Sequence, residues 1–291
     1  MYAATFDYYR PKDLKDAMQL LRKHKDAVIL AGGHSLLPAM KLRVSSPSAL
    51  IDIGRIKGLS GIRISGTSAQ IGAMTTHATI AASKELSKAC PILADTAAQI
   101  GDLQVRNRGT IGGSLAHADP AADFPTVIVA LGAKVIATGS RGKRQIPAEK
   151  FFRDLFTTAL KPAEVLTSVQ VPTMRPGMGG VYLKHRHPAS SYAVVGVAAV
   201  VAMKNGVFSK ARLVVGGTTP NPVVVVAAEK VLVGKSPTAE TISAAAAKVA
   251  GAIGARFSDT YASAEYRAHL ATVLAQRALT QAAARAKRNK S

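Results

Sequence analysis

The stretch AVILAGGHSLLPAMKLR, from Ala27 to Arg43, decides the fold expected for this chain. Its first four residues form a short apolar run with β-branched side chains, which predicts a buried strand. Gly32-Gly33 follows, and Ser35 is a residue type that can cap the helix indicated by the next apolar side chains. A strand that turns through two glycines onto a helix start brings backbone N–H groups close to a bound ligand and favours a phosphate there.

A second stretch, GTIGGSL from Gly109 to Leu115, has the same pattern. One glycine pair is ordinary, but two such turns in one domain can hold one pyrophosphate from both sides. The fingerprint G-x-G-x-x-G is absent from both, which excludes a Rossmann dinucleotide site. Asp119 and Asp123 follow at a predicted helix start, where they either hydrogen-bond a ribose or ring hydroxyl or stabilise the helix end.

Length and composition indicate a large core and two domains. The chain has 291 residues, of which 48% are apolar, and it has no tryptophan. No apolar run approaches the roughly 20 residues of a membrane span, and no signal peptide is recognisable at the start. The single cysteine, Cys90, excludes an internal disulfide and cannot hold an iron–sulfur cluster. We predict no catalytic residue, because no Ser–His–Asp order is recognisable, and no metal site, because His117 has no metal-ligating neighbours in the sequence.

The charge is strongly positive. Lysine and arginine number 38 against 17 acidic residues, which gives a net charge of +21. Apart from a cluster at Arg285, Lys287, Arg288 and Lys290, the basic residues are spread along the chain. Aromatic residues make up 5% and no nucleic-acid recognition motif is present, so a basic nucleic-acid-binding protein is the weaker hypothesis. We expect acidic faces of protein partners to balance the charge instead.

The order of predicted elements divides the chain into three parts. The first 55 or so residues read β-α-β-α-β. Strands and helices then follow up to Pro172, among them a predicted helix over residues 76–86. The Pro- and Gly-rich segment 173–180 is the predicted boundary. Three strands come next, with a hairpin turn at Asn205-Gly206, and three helical patterns end the chain. The predicted domains are 1–175, with subdomains of about 1–57 and 58–175, and 176–291.

Several motifs in this order resemble the flavin-binding medium subunit of the molybdenum hydroxylases, the family of aerobic carbon monoxide dehydrogenase and xanthine dehydrogenase. The stretch Ala31-Gly32-Gly33-His34-Ser35-Leu36 resembles its first FAD motif, and Thr110-Ile111-Gly112-Gly113-Ser114 resembles its second. Asp123 matches an acidic position that the family points toward the adenosine side, and Leu166 matches a residue that borders the FAD. Lys184 and Tyr192, eight residues apart, match a lysine and an aromatic residue near the isoalloxazine.

The resemblance implies an α+β protein: a two-subdomain FAD-binding domain of the vanillyl-alcohol-oxidase (PCMH) type, then a C-terminal α+β domain with an antiparallel sheet and helices. It also implies non-covalent FAD on this chain, 2Fe–2S clusters on a small subunit, and molybdopterin on a large subunit, in a dimer of heterotrimers. Electrons then leave through FAD to a quinone, NAD or oxygen. We expect a cytoplasmic location; attachment at the inner membrane through the acceptor is the alternative.

A stand-alone FAD-dependent reductase of the same superfamily is the alternative function. Such an enzyme needs a residue that protonates its substrate and a substrate domain of its own. We find no convincing acid of this kind in the sequence. The electron-transfer subunit is therefore the leading hypothesis.

Overall fold

The structure is a computed structural model that describes residues 2–254 and 256–289. The N-terminal unit consists of strands β1 (Asp7–Tyr9), β2 (Ala27–Leu30) and β3 (Ala49–Asp52) and helices α1 (Leu14–Lys23) and α2 (Leu36–Lys41). Its strands are parallel in the order β1-β3-β2. Asp13 caps α1 by accepting the N–H of Asp16, which satisfies an otherwise unpaired donor. The predicted β-α-β-α-β unit is confirmed.

The second unit is built on a five-stranded antiparallel sheet in the order β4-β5-β10-β6-β7. The strands are β4 (Ile62–Ser65), β5 (Ser68–Gly72), β6 (Lys134–Gly139), β7 (Gly142–Pro147) and β10 (Val165–Pro172), and β8 (Phe152–Asp154) pairs separately with β9 (Thr157–Thr158). The helices are α3 (His77–Ala82), α4 (Lys84–Ala89), α5 (Pro91–Ala98), α6 (Leu103–Arg108), α7 (Ile111–His117) and α8 (Asp123–Ala130). Every residue of α8 is buried, so this helix is the centre of the unit's core.

Three local features of this unit differ from the sequence prediction. The helix predicted over 76–86 is broken at Ser83, whose hydroxyl caps α4 by accepting the N–H of Leu86 at 3.1 Å. The second glycine turn is itself the start of helix α7, because Thr110 caps it and tertiary contacts outweigh the low helix propensity of glycine. Strand β7 carries no apolar alternation and forms through its pairing with β6.

The C-terminal unit is an antiparallel sheet covered by helices. The strands β11 (Met178–Arg186), β12 (Ala193–Lys204), β13 (Val207–Gly216) and β14 (Val223–Val224) are neighbours in chain order. The helices are α9 (Val226–Leu232), α10 (Ala239–Ala246), α11 (Val249–Ala252) and α12 (Ala264–Arg288). The predicted hairpin at Asn205-Gly206 is confirmed, with φ of 52° and 80° at the two residues, as a twist-compatible two-residue turn requires.

Helix α12 lies very close to the sheet because small residues meet at the contact. The buried face of α12 is mostly alanine, and a Cβ added at Gly179 of β11 would overlap the carbonyl oxygen of Ala282. Near the end of the helix, Arg285 forms an ion pair of 2.7 Å with Asp95 of α5. Part of the predicted basic cluster is thus used within the fold; Lys290 lies outside the described residues. Within the described ranges, no helix has the length and apolar character needed to cross a membrane.

Candidate functional site

One cavity of about 550 Å³ lies where the first two units meet the loop between β11 and β12. Its volume is in the usual range for small-molecule and cofactor sites, which is roughly 300–1,000 Å³. The structure brings most of the residues singled out from the sequence to its walls, namely Ala31, Gly32, Gly33, His34, Ser35, Leu36, Thr110, Gly112, Gly113, Ser114, Asp123, Leu166 and Tyr192. Ile111 and Lys184 are not among the lining residues.

The first glycine turn presents unpaired backbone donors. Gly33 has a φ of +80°, a conformation that glycine adopts without strain. The N–H groups of residues 32–35 donate to no acceptor among residues 2–254 and 256–289. Successive free N–H groups at a turn form a concave site for an anion. This turn therefore has the donors that a phosphate needs.

The second glycine turn uses its donors within the protein. The N–H groups of Ile111, Gly112 and Gly113 donate respectively to the Thr75 carbonyl at 3.1 Å, the Ala73 carbonyl at 2.8 Å and the Thr110 hydroxyl at 3.1 Å. The sequence suggested that both helix starts would offer free N–H groups to a ligand. That suggestion is wrong for these three groups, because the loop after β5 supplies the acceptors for Ile111 and Gly112, and the capping hydroxyl of Thr110 accepts from Gly113.

Glycine at two of these positions is required by contacts inside the protein. A Cβ at Gly32 would overlap the carbonyl oxygen of Arg108 and lie 2.9 Å from the Cα of Gly109. A Cβ at Gly112 would lie 2.7 Å from the carbonyl oxygen of Ala73. The first pair of contacts shows that the two turns touch backbone to backbone. Glycine at these two positions thus brings both turns to the same cavity.

The two polar residues of the first turn have different surroundings. His34 is exposed, and its Nε2 donates to the Gln104 carbonyl at 3.1 Å, which ties the turn to α6. Ser35 precedes α2, but its side chain forms no capping hydrogen bond. Ser35 and Tyr192 both line the cavity; desolvation raises the pKa of the tyrosine, and Ser35 opposes that rise.

Asp123 and Lys184 form a buried ion pair. Asp123 accepts from the Lys184 ammonium at 2.9 Å and from the Tyr182 hydroxyl at 2.6 Å. Burial raises the pKa of Asp123, against the opposing charge of Lys184, and burial lowers the pKa of Lys184. The sequence placed Asp123 on the adenosine side and Lys184 near the isoalloxazine. The ion pair brings the two side chains together, with Asp123 on the cavity wall and Lys184 behind it.

His77 is a lining residue that the sequence did not reveal. It is 4% exposed, and its Nδ1 has no hydrogen-bond partner in the described structure. Burial, with smaller contributions from Arg106 and His34, lowers its pKa from 6.5 to about 4. No local pattern marks this histidine, because its burial depends on the packing of α3 against α6 and Phe124.

We predict that His77 makes the stability of the chain depend on pH. Because its pKa is lower in the folded state, its stabilising effect is complete above pH 6.5 and is lost as the pH falls toward 4. A shift of this size corresponds to roughly 3 kcal/mol. Denaturant unfolding at several pH values should show that the free energy of unfolding falls less for His77→Gln than for the wild type as the pH is lowered. The exposed His269→Gln is the matched control, and an equal loss in His77→Gln and the wild type would contradict the prediction.

The site fits a dinucleotide. The free N–H groups of the first turn suit a pyrophosphate, and the unpartnered Nδ1 of His77 offers a further polar contact. Apolar side chains such as Val28, Ile53 and Leu160 supply walls for planar rings. Both kinds of contact occur in the same cavity, as an elongated ligand with charged and aromatic parts requires.

Sequence comparison identifies the ligand class. The family described as "FAD binding domain in molybdopterin dehydrogenase" matches residues 4–174, and "CO dehydrogenase flavoprotein C-terminal domain" matches residues 181–282. The chain belongs to the FAD-binding medium subunits of the molybdenum hydroxylases. Its cofactor is FAD, as predicted, and the vanillyl-alcohol-oxidase (PCMH) type α+β fold is confirmed.

Individual members of the family match over their whole length. The chain is 40% identical to the carbon monoxide dehydrogenase medium chain of Afipia carboxidovorans over 99% of this chain and 100% of that protein. It is 37% identical to subunit alpha of the 6-hydroxypseudooxynicotine dehydrogenase complex of Paenarthrobacter nicotinovorans, over 100% of this chain and 98% of that one. A crystal structure of carbon monoxide dehydrogenase from Hydrogenophaga pseudoflava superposes with a TM-score of 0.95 at 39% identity, covering 98% of this chain and 99% of that one.

Proposed function

We propose that this chain is the FAD-binding electron-transfer subunit of a molybdenum-containing hydroxylase or dehydrogenase complex. The single observation that carries the proposal is the row of unpaired N–H groups at residues 32–35, which lies on a cavity of cofactor size. These donors suit the pyrophosphate of FAD. FAD, when bound, supplies the ability to accept electrons from one centre and pass them to another.

The protein's part is to hold the cofactor and to exclude water from it. In this proposal the first turn, Ala31 to Leu36, binds the pyrophosphate, and Thr110, Gly113 and Ser114 close the opposite wall. Ile111 is fully buried and supports that wall from behind. Leu166 and Tyr192 contact the rings.

Burial raises the pKa of the Cys90 thiol to about 12, so this thiol stays protonated at neutral pH.

The partners and the domain limits are part of the same proposal. The relatives are a medium chain and a complex subunit by name, which supports assembly with a 2Fe–2S small subunit and a molybdopterin large subunit as a dimer of heterotrimers. The acceptor is a quinone, NAD or oxygen. The limits 1–175 and 176–291, with subdomains of about 1–57 and 58–175, are supported by one apolar core within residues 181–286 and another formed mainly by residues 17–59. The core of the middle part also includes Tyr182, Ala198, Val200 and Val214 of the C-terminal sheet.

A basic cleft offers a surface for such a partner. The cleft has a volume of about 800 Å³ and is lined by Arg22, Lys25, Arg141, Lys143, Arg144 and Lys161. Its one acidic lining residue, Glu164, already accepts both guanidinium contacts of Arg144 at 2.8 and 2.7 Å. The other cations have no carboxylate partner in the described part of the chain. This surface suits an acidic face of a partner subunit.

We predict that charge reversal in the cleft weakens the assembled complex. The variant Lys143→Glu/Lys161→Glu should dissociate at lower ionic strength than the wild type, because rim charges act mainly through salt-screened attraction. Size-exclusion chromatography of the complex over a salt series measures this. Lys204→Glu/Lys210→Glu, which changes two exposed lysines elsewhere, is the matched control. Equal salt sensitivity of the two double variants would contradict the prediction.

The proposed function is tested on the assembled complex. The tagged chain should co-purify with an iron-containing and a molybdenum-containing partner. The substrate that the complex oxidises is first found by screening carbon monoxide, purines and aldehydes. Removal of FAD with a chaotropic salt should then abolish electron transfer from this substrate to quinone, NAD and oxygen. Added FAD should restore the transfer. Full turnover by this chain without partners would instead identify a stand-alone reductase.

A further inference from the structure

We propose that Lys184 is a positioning residue, which holds the Tyr192 loop against the FAD cavity by joining Asp123 to the carbonyl of Ser191. The inference rests on the proposed function, because the cavity must hold FAD for the position of Tyr192 to matter. It assigns Lys184 a role through other residues, in place of the direct flavin contact that the sequence suggested.

The ammonium of Lys184 is committed to two protein acceptors. Its side chain is only 2% exposed, and Nζ donates to Asp123 Oδ2 at 2.9 Å and to the Ser191 carbonyl at 2.8 Å. Lys184 does not line the cavity, whereas Asp123, Ser191 and Tyr192 do. The lysine therefore lies behind the cavity wall and connects two of its parts.

The loop that carries Tyr192 is a tight turn under backbone strain. Ser191 has a φ of 61°, the left-handed region that residues other than glycine adopt at a cost. Within the loop, the Ser191 N–H donates to the His187 carbonyl at 2.9 Å and the His187 N–H donates to the Tyr192 carbonyl at 2.8 Å. A strained turn of this kind keeps its shape only when its surroundings fix it.

Two contacts, one with Lys184 of β11 and one with Ala121 of the second unit, fix the residues on either side of Tyr192. On the N-terminal side of Tyr192, the Ser191 carbonyl accepts a hydrogen bond from the Lys184 ammonium. On the C-terminal side, the Ala193 N–H donates to the Ala121 carbonyl at 3.1 Å. Tyr192 lines the same cavity as Ser35 of the first glycine turn. If the Lys184 contact is lost, one of these two fixed points is lost, and the ring of Tyr192 is free to shift relative to the first turn.

Mutation can separate the two roles of Lys184, which are to neutralise the charge of Asp123 and to donate a hydrogen bond to the Ser191 carbonyl. Lys184→Met removes both and leaves the Asp123 carboxylate buried without its counter-ion. Asp123→Asn/Lys184→Met removes the uncompensated charge but still leaves Ser191 without its donor. Asp123→Asn alone is the matched control, because it keeps the lysine and its bond to Ser191. A purely structural ion pair and a positioning residue thus predict different behaviour for the double variant.

The experiment measures thermal stability, the dissociation constant of FAD and the visible circular dichroism of the bound flavin. Lys184→Met should have a lower melting temperature than the wild type, and the double variant should regain most of the lost thermal stability. Relative to Asp123→Asn, the double variant should still bind FAD about tenfold more weakly, the factor expected for one lost charge-assisted hydrogen bond, and should show a changed flavin dichroism.

The double variant decides the outcome even if Lys184→Met fails to fold. If its FAD affinity and flavin dichroism equal those of Asp123→Asn, Lys184 is only a counter-ion and the inference is wrong. If the wild-type chain itself binds no FAD, alone or in the complex, the proposed function fails and this inference fails with it; that result is distinct, because it appears before any variant is compared.

Discussion

Replacement of Gly32 by alanine should lower the free energy of unfolding by more than about 3 kcal/mol, even without FAD. The added Cβ would overlap the carbonyl oxygen of Arg108 and lie 2.9 Å from the Cα of Gly109. Arg108 ends α6 and Gly109 begins the second glycine turn, so these backbone atoms cannot move away without disturbing the hydrogen bonds of α6 and α7. The effect is therefore on the fold as well as on the ligand.

Denaturant unfolding of the FAD-free chain measures this effect. Gly251→Ala is the control: a Cβ at Gly251 meets nothing within 4 Å, so alanine should be neutral or slightly stabilising in helix α11. Gly113→Ala provides a second comparison, because its Cβ would meet only the Thr110 hydroxyl at 2.9 Å and the Ala31 Cβ at 3.5 Å. We expect it to weaken FAD binding with little effect on folding. Unfolding of Gly32→Ala at the wild-type midpoint would refute the packing explanation.

Replacement of Arg267 by methionine should destabilise the C-terminal unit by about 3 kcal/mol or more. Arg267 is 5% exposed. Its guanidinium donates to the carbonyls of Val194 and Gly217 at 2.6 and 3.1 Å and forms an ion pair of 2.6 Å with Asp259. Methionine retains the apolar volume of the side chain but removes the guanidinium donor from the carbonyls of Val194 and Gly217 and from the Asp259 carboxylate.

Thermal unfolding of Arg267→Met checks this expectation. Arg277→Met is the control on the same helix, since Arg277 is exposed and surface substitutions usually change stability by less than about 0.5 kcal/mol. Loss of the Arg267 guanidinium should also weaken FAD binding, because it donates to the carbonyl of Val194, two residues after Tyr192. Equal melting temperatures for the two variants would show that the buried guanidinium contributes nothing to the fold.

The parts of the site that were predictable from sequence are those with local causes. The first turn follows from an apolar strand, two glycines and a helical segment within 17 residues of sequence. The hairpin at Asn205-Gly206 follows from two residues that tolerate a positive φ. In both cases the residues that make the structure are also the residues that reveal it.

The parts that were not predictable depend on distant partners. The acceptors for the N–H groups of Ile111 and Gly112 are the carbonyls of Thr75 and Ala73, over thirty positions earlier in the chain. His77 becomes a lining residue only because α3 packs against α6. Asp123 and Lys184 were each singled out, but their pairing across 61 positions requires the tertiary structure. Pattern alone singled out many of the lining residues, but it did not show which of them meet.

The most direct test of the central claim is a titration of the purified chain with FAD, followed by visible absorption and then by reduction with dithionite. The account predicts flavin bands that shift on binding, bleach on reduction, and shift less in Gly113→Ala at the same FAD concentration. Absence of any shift at high FAD in the folded wild-type chain, and again in the assembled complex, would contradict the assignment of the cavity to FAD.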